Sequence, residues 1–311
     1  MPATALRILA PNPAVTPAAI RRIADFMHDA SFEAVEPTAA DIEALQRTVR
    51  PGTRIYLTAV PGRLPDETIA SAARLRAAGF EPVPHLAVRG FSSAGMLDDM
   101  VSRLAAAGVR RLLVIAGDDD RAGPFTQALD LIESGRLPRA GIIAVGIAGY
   151  PEGHPRISTL ALDRALAAKI EAAEQTGLKV HIVTQFGFDA AATLAWLRKL
   201  RDLGIERPVR VGIAGPTSLG TLLHFARRCG VRVSAHGIAR NAGLTKHLFG
   251  MNAPDGLIRP LAEACVDGPL GQVTPHLYSF GGLAATARWA AAVASGRIAL
   301  DRACGFTVEA Q

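Results

Sequence analysis

The chain has 311 residues, 49% of them hydrophobic and 20% charged. That composition excludes a disordered chain, which lacks the apolar surface to offset the entropy of ordering, and no apolar run approaches the ~20 residues of a membrane-spanning helix. The net charge of +6 comes from residues scattered along helical stretches, such as Arg198, Lys199 and Arg201, with no basic block, so nucleic acid is not an expected partner.

In chain order, one unit repeats: a short β-branched or apolar run, a Gly, Pro or acidic turn, then an amphipathic Ala/Leu/Arg stretch. The opening MPATALRILAPNPAV holds one Arg and a short apolar patch broken by prolines, which does not read as a secretory signal; a cytoplasmic protein is expected. Thr16-Pro17 starts a helix running to Asp29, and residues 1–29 are expected to cap the bottom of the fold. Strands are expected at Ser31–Val35, Arg54–Val60, Glu81–Val88, Arg111–Ala116, Gly141–Ile147, Lys179–Thr184, Val209–Ala214 and Gln272–Phe280. The helical patterns between them are Ala39–Val49, Asp66–Ala78, Ala94–Ala107, Pro124–Ser134, Thr159–Thr176, Ala190–Leu203 and Ser218–Cys229, with a last one at Leu283–Ser295. Asp66 and Glu67 place negative charge on a first turn, Asp189 is a cap, and Gly79, Gly108, Gly177, Gly204 and Gly230 end helices. Residues 231–271 form a longer insertion before the last strand, with helical pieces around Leu244–Leu248 and Gly256–Ala264.

Eight strands alternating with helices predict a single (β/α)8 barrel over residues 1–311, because parallel neighbours need crossover helices and eight strands close the sheet. An open doubly wound sheet would favour a GxGxxG turn after the first strand, and none is present. Cys229, Cys265 and Cys304 are far apart, form no metal-ligand spacing and are expected to be reduced; no metal site is expected.

Barrel chemistry collects at the carboxyl ends of the strands. Polar residues fall there on six of them: Glu33 in SFEAVEP, Thr58, His85 in PHL, Gly117-Asp118 opening an acidic run, Tyr150, Glu152 and His154 in GYPEGHP, and Gln185 with Asp189 in TQFGFD. Taken singly each has an ordinary explanation, such as a salt-bridged carboxylate or a core histidine. Together they mark one rim.

SFE, PHL, GD, AGYPEGHP and TQFGFD in this order resemble the methylenetetrahydrofolate reductase family, over Ser31 to about Trp289. The resemblance implies a flavin-containing barrel in which NADH or NADPH reduces FAD, and FAD then reduces 5,10-methylenetetrahydrofolate to 5-methyltetrahydrofolate. On that basis Glu33 matches the acid that protonates the folate nitrogen, a role that calls for a pKa raised by desolvation. Asp118 matches the carboxylate near the flavin and folate, where negative charge favours a cationic iminium. Gln185 matches the pterin-binding amide, and Leu219 and Tyr278 fall at further substrate-binding positions. Thr58, His85, Gly117, Asp118, Tyr150, His154, Asp163 and Lys169 match cofactor-binding positions, Lys169 facing the diphosphate.

The chain also departs from that pattern. Ala116 stands where the family carries Arg before the GD pair, with Arg121 as a candidate substitute. Gly187 replaces an aromatic, Leu219 a stacking Phe, and Gly281-Gly282 an Asn-Arg pair. These departures keep three alternatives open: a reductase without flavin, a folate-dependent methyltransferase of a demethylation pathway, and a non-catalytic partner subunit. A folate is the expected small-molecule partner, and the apolar composition leaves room for a subunit contact in a homo-oligomer.

Overall fold

Strands β1 (Ser31–Ala34), β2 (Arg54–Leu57), β3 (Glu81–Ala87), β4 (Arg111–Ile115), β5 (Ala144–Gly149), β6 (Lys179–Thr184), β7 (Val209–Ala214) and β8 (Val273–Tyr278) pair in parallel in that order, and β8 returns to β1. This closed cylinder is the (β/α)8 barrel expected from the alternation. The computed structural model describes residues 15–119, 123–231, 253–266, 268–301 and 305–309. Arg121, Cys304 and the helical piece expected at Leu244–Leu248 lie outside them.

The helices are α1 (Val15–His28), α2 (Ala39–Thr48), α3 (Pro65–Ala77), α4 (Ala94–Ala106), α5 (Ala128–Glu133), α6 (Arg136–Arg139), α7 (Thr159–Gln175), α8 (Ala190–Asp202), α9 (Leu219–Arg228), α10 (Asp255–Cys265) and α11 (Leu283–Ala294). Local chemistry sets their ends. Asp189 accepts from the backbone N–H groups of Ala191 and Ala192 as the cap of α8, and the five glycines expected to end helices all take positive φ, Gly79 at 90°. Leucine, isoleucine and valine side chains between the helices and the outer face of the barrel form one continuous core.

Two boundaries differ from the sequence reading. The helix expected from Pro124 begins at Ala128, because Asp130 turns back to accept from Thr126 and Gln127 and so fixes a cap there. The strand expected from Gly141 begins at Ala144: Gly141 has φ 86° and completes the turn that ends α6. A two-stranded antiparallel ribbon, β9 (Ile298–Leu300) with β10 (Phe306–Val308), was not anticipated, since three-residue runs carry too little alternation to stand out. It leans on α11 through Phe306, whose ring stacks on Trp289.

At the amino-terminal end the interior is charged. Arg54 and Arg111 donate through Nε to the two oxygens of Glu81 at 3.1 and 2.7 Å, and buried Arg210 reaches the carbonyl of Asp29, just after α1. Burial pushes the Glu81 carboxyl up, but the Arg111 and Arg54 guanidinium groups outweigh it and hold it below the usual range. A depressed folded-state pKa stabilises the fold above the unfolded carboxylate value, about 4.3, and that gain is lost as pH falls through the folded value. Glu81→Gln is expected to cost about 2 kcal/mol at pH 7, a partly exposed pair being worth less than a fully buried one. In urea titrations the gap to the parent should close on acidification.

Candidate functional site

The opposite, carboxyl-terminal mouth gathers the polar rim. Register dictates the gathering: Glu33 lies opposite Tyr56 on β2 and Tyr278 on β8, so its side chain points into the cylinder between two tyrosines. Its side chain is only 11% exposed. Thr58 Oγ1 donates to Glu33 Oε1 at 2.8 Å, and His276 Nε2 lies 3.1 Å from Oε2. His85 Nε2 stands 3.9 Å from the same oxygen and has no hydrogen-bond partner among the described residues.

The sequence reading placed Thr58 and His85 here but gave no role to His276. A signal was available. Pro84-His85-Leu86 on β3 recurs as Pro275-His276-Leu277 on β8, and both imidazoles end at one carboxyl oxygen.

The expected raised pKa of Glu33 is corrected by this setting. Burial raises it, but the charges of His85 and His276 and hydrogen bonds from His276 and Thr58 together lower it. The lowering requires charged imidazoles, and burial holds both His85 and His276 below the ordinary histidine value.

Across the mouth, a cavity of about 280 Å³ is lined by Tyr150, Glu152, His154, Gln185, Phe186 and Cys229. Tyr150 and His154 meet edge to face at 5.4 Å. The backbone N–H of Phe186 donates to Gln185 Oε1 at 3.0 Å, which engages the amide oxygen and leaves the NH2 as its donor group. Glu152 accepts from the backbone N–H groups of Phe188 and Asp189 and so ties the loop after β5 to the loop after β6. Its carboxylate occupies the space that a Cβ at Gly187 would fill, which accounts for the small residue there.

Asp118 lies at the rim but turns to solvent, 91% exposed, with Arg156 Nη2 4.0 Å away. Burial and then the charges of Glu33 and Asp118 raise the pKa of Cys229, so both acids lie within electrostatic reach of one thiol. Gly117 takes φ 85° and packs so close to Ala87 that a Cβ would meet the Ala87 Cβ at 2.9 Å.

The helix positions lie on α7, next to the loop that carries Tyr150 and Glu152. Asp163 pairs with Lys199 of α8 at 2.5 Å, beside a cleft of about 360 Å³ lined also by Trp196. Lys169 is half-buried, and burial pushes its ammonium down to about 8 with no carboxylate among the described residues opposing it.

Leu219, exposed at the start of α9, is not part of the aromatic cluster at the mouth. Six residues on, Phe225 stacks on Phe280 at 4.2 Å and 10°, with Phe186 and Tyr278 against the same ring. Sequence reasoning missed this cluster because α9 leans over the mouth, bringing Gly230 against Pro155.

The family model described as methylenetetrahydrofolate reductase matches residues 56–247, more than half of the chain. The chain belongs to the methylenetetrahydrofolate reductase family. Methylenetetrahydrofolate reductase 2 of Saccharomyces cerevisiae is 28% identical over 51% of this chain and 27% of its own length. Methylenetetrahydrofolate reductase 1 of Schizosaccharomyces pombe is 28% identical over 46% and 24%. The chain thus spans about a quarter of the length of these curated relatives. Among solved structures, an uncharacterized protein from Clostridium thermocellum that binds two copies of 5-methyl-5,6,7,8-tetrahydrofolic acid superposes with TM-score 0.57 at 14% identity, over 85% of this chain and 93% of that one. That likeness is one of fold. The identities of 28% agree with the departures at Ala116, Gly187 and Leu219.

Proposed function

We propose that this reductase-family barrel reduces 5,10-methylenetetrahydrofolate to 5-methyltetrahydrofolate, with NADH or NADPH as electron source and FAD as carrier. The observation that carries the reading is Glu33: a carboxyl buried at the mouth and held by Thr58 and His276. Opening the five-membered ring of the substrate breaks a carbon–nitrogen bond and leaves a cationic iminium carbon. Glu33 donates the proton that the departing nitrogen requires, and Asp118 supplies negative charge on the side of the cation. Gln185 orients the pterin through its NH2, its oxygen being engaged by Phe186. The iminium then accepts a hydride and becomes the methyl group.

FAD, when bound, supplies a two-electron relay between coenzyme and folate. The ring end of the site suits it, because the orphaned Nε2 of buried His85 lacks a polar partner and Gly117 lets backbone approach closely. At the diphosphate end Lys169 is a cation without a partner among the described residues. Two observations favour a flavin-free variant of the same reaction: Ala116 brings no charge, and the Asp163 carboxylate is already engaged by Lys199.

Absorption spectroscopy of the purified protein during titration with 5-methyltetrahydrofolate tests the reading. Flavin bands that bleach as the folate is oxidised are the expected result. A colourless protein that still oxidises methyltetrahydrofolate with a nicotinamide acceptor moves the assignment to the flavin-free variant. Absence of any folate oxidation, or methyl transfer without coenzyme turnover, overturns it.

A further inference from the structure

We infer that Glu152 is a positioning residue that sets Gln185 in place, and that Gly187 is its matched partner, small so that the carboxylate can reach the segment after β6. The inference rests on the proposed reduction for what Gln185 binds, but the coupling of the three residues does not depend on it.

Residues 185–189 leave β6 and lead into α8, and three fastenings tie them to neighbouring elements. Gln185 N–H donates to the carbonyl of Gly149, the last residue of β5, at 2.9 Å. Gly187 forms a parallel bridge with Ile213 of β7. At the far end, the N–H groups of Phe188 and Asp189 donate to Glu152 Oε1 at 2.5 and 2.8 Å. Of these three, only the last rests on a side chain. Both of its donors are backbone N–H groups, so the direction of each bond is fixed, and one carboxyl oxygen receives the pair. The Asp189 carboxylate is no substitute, because it already accepts from Ala191 and Ala192 as the cap of α8. Glu152 arrives from the β5 side in a turn closed by Gly153 N–H donating to the Tyr150 carbonyl at 3.0 Å.

Gly187 lies in the middle of this segment, and its backbone is outside the left-handed region, so conformation alone would admit other residues. The obstacle to a side chain is steric. An added Cβ would overlap Glu152 Oε1 outright and stand 2.9 Å from Cδ, and its three nearest neighbours all belong to the Glu152 side chain. Glycine and glutamate are therefore one feature: a side chain at 187 drives the carboxylate off the two N–H groups or drives the segment away from it. Gln185 follows such a movement, because its Oε1 is engaged by the Phe186 N–H within the same segment. Glu152 and Gln185 line the same cavity, together with Tyr150 and His154 of the loop that carries Glu152. One carboxyl thus sets the spacing between the two loops that wall the cavity.

The test uses the full chain labelled with 15N-glutamine, in which the side-chain amide signal of Gln185 is assigned by its loss in Gln185→Glu. Glu152→Ala is expected to move that signal and to weaken binding of 5-methyltetrahydrofolate about 10-fold, the scale of a hydrogen bond to a charged group. Glu152→Gln keeps an oxygen that accepts both N–H groups, so signal and affinity should stay near those of the parent. Gly187→Ala should reproduce both effects in the parent and be nearly silent when added to Glu152→Ala, because the atoms it would meet are gone. An equal effect of Gly187→Ala with and without the Glu152 side chain overturns the inference, as does a Gln185 signal that stays in place in Glu152→Ala. Should Glu152→Ala fail to fold, Gly187→Ala and Glu152→Gln decide: the signal must move in the first alone, and movement in both or in neither overturns the inference. The signal is read before any folate is added, which separates the two claims. The expected coupling in a protein that binds no folate sinks the reductase reading alone, whereas folate turnover with a Gln185 signal indifferent to these variants sinks this inference alone.

Discussion

Glu33→Gln is expected to slow reduction of methylenetetrahydrofolate by about 10²–10⁴-fold, the range a single positioned general acid contributes, while oxidation of the nicotinamide coenzyme by an artificial acceptor persists. The amide keeps the shape of the side chain and still accepts from Thr58, but it has no acidic proton to give. Its NH2 can take the place of the oxygen that lies 3.1 Å from His276 Nε2, so the cluster should remain folded and the loss should be chemical. Stopped-flow measurement of the two half-reactions decides it. An equal loss in both shows that Glu33 acts in binding or folding, and removes it from the role of acid.

The split between what could be read in the sequence and what needed coordinates follows from the range of the interactions. Strands and helices are local patterns, so β6 and β7 fall where Lys179–Thr184 and Val209–Ala214 read as strands. The rim was legible for a related reason: once eight strands close, residues at their ends have nowhere else to go. The partnership of Glu33 with His276 joins positions 243 apart and depends on β8 closing against β1 in one register. A shift of one residue would turn His276 outward. For Asp163 the place on a helix is legible, but the side of α7 it faces is set by packing, and that side meets Lys199. The aromatic cluster joins Phe225 of α9 to Phe186 and Phe280 of other elements, contacts that leave no mark in periodicity.

Gly212→Ala is expected to destabilise the barrel by about 2–3 kcal/mol, at the upper end for an overpacked core position, and to weaken folate binding as well. Gly212 points into the cylinder from β7, and β6 pairs with β7 only through Ile182–Val209 and Val183–Arg210 before the ladder opens. Beyond that point the chain leaving β6 crosses directly over Gly212. An added Cβ would run into the Thr184 carbonyl oxygen and stand 2.8 Å from Gln185 C and Phe186 N. All three are backbone atoms, so no side-chain rotation relieves the clash. The same crossing is fastened by Gly212 N–H donating to Thr184 Oγ1 at 2.8 Å and by the Tyr278 hydroxyl donating to the Thr184 carbonyl at 3.2 Å. Moving it displaces Gln185, the residue assigned to the pterin. Gly146 supplies the contrast, because a Cβ there meets only the side chains of His181 and Leu113, at 2.9 and 3.0 Å. Gly146→Ala should therefore lower stability while leaving affinity for 5-methyltetrahydrofolate near that of the parent. Chemical denaturation and folate titration of the two variants separate the effects, and equal affinity losses in both would show that the crossing over Gly212 does not position Gln185.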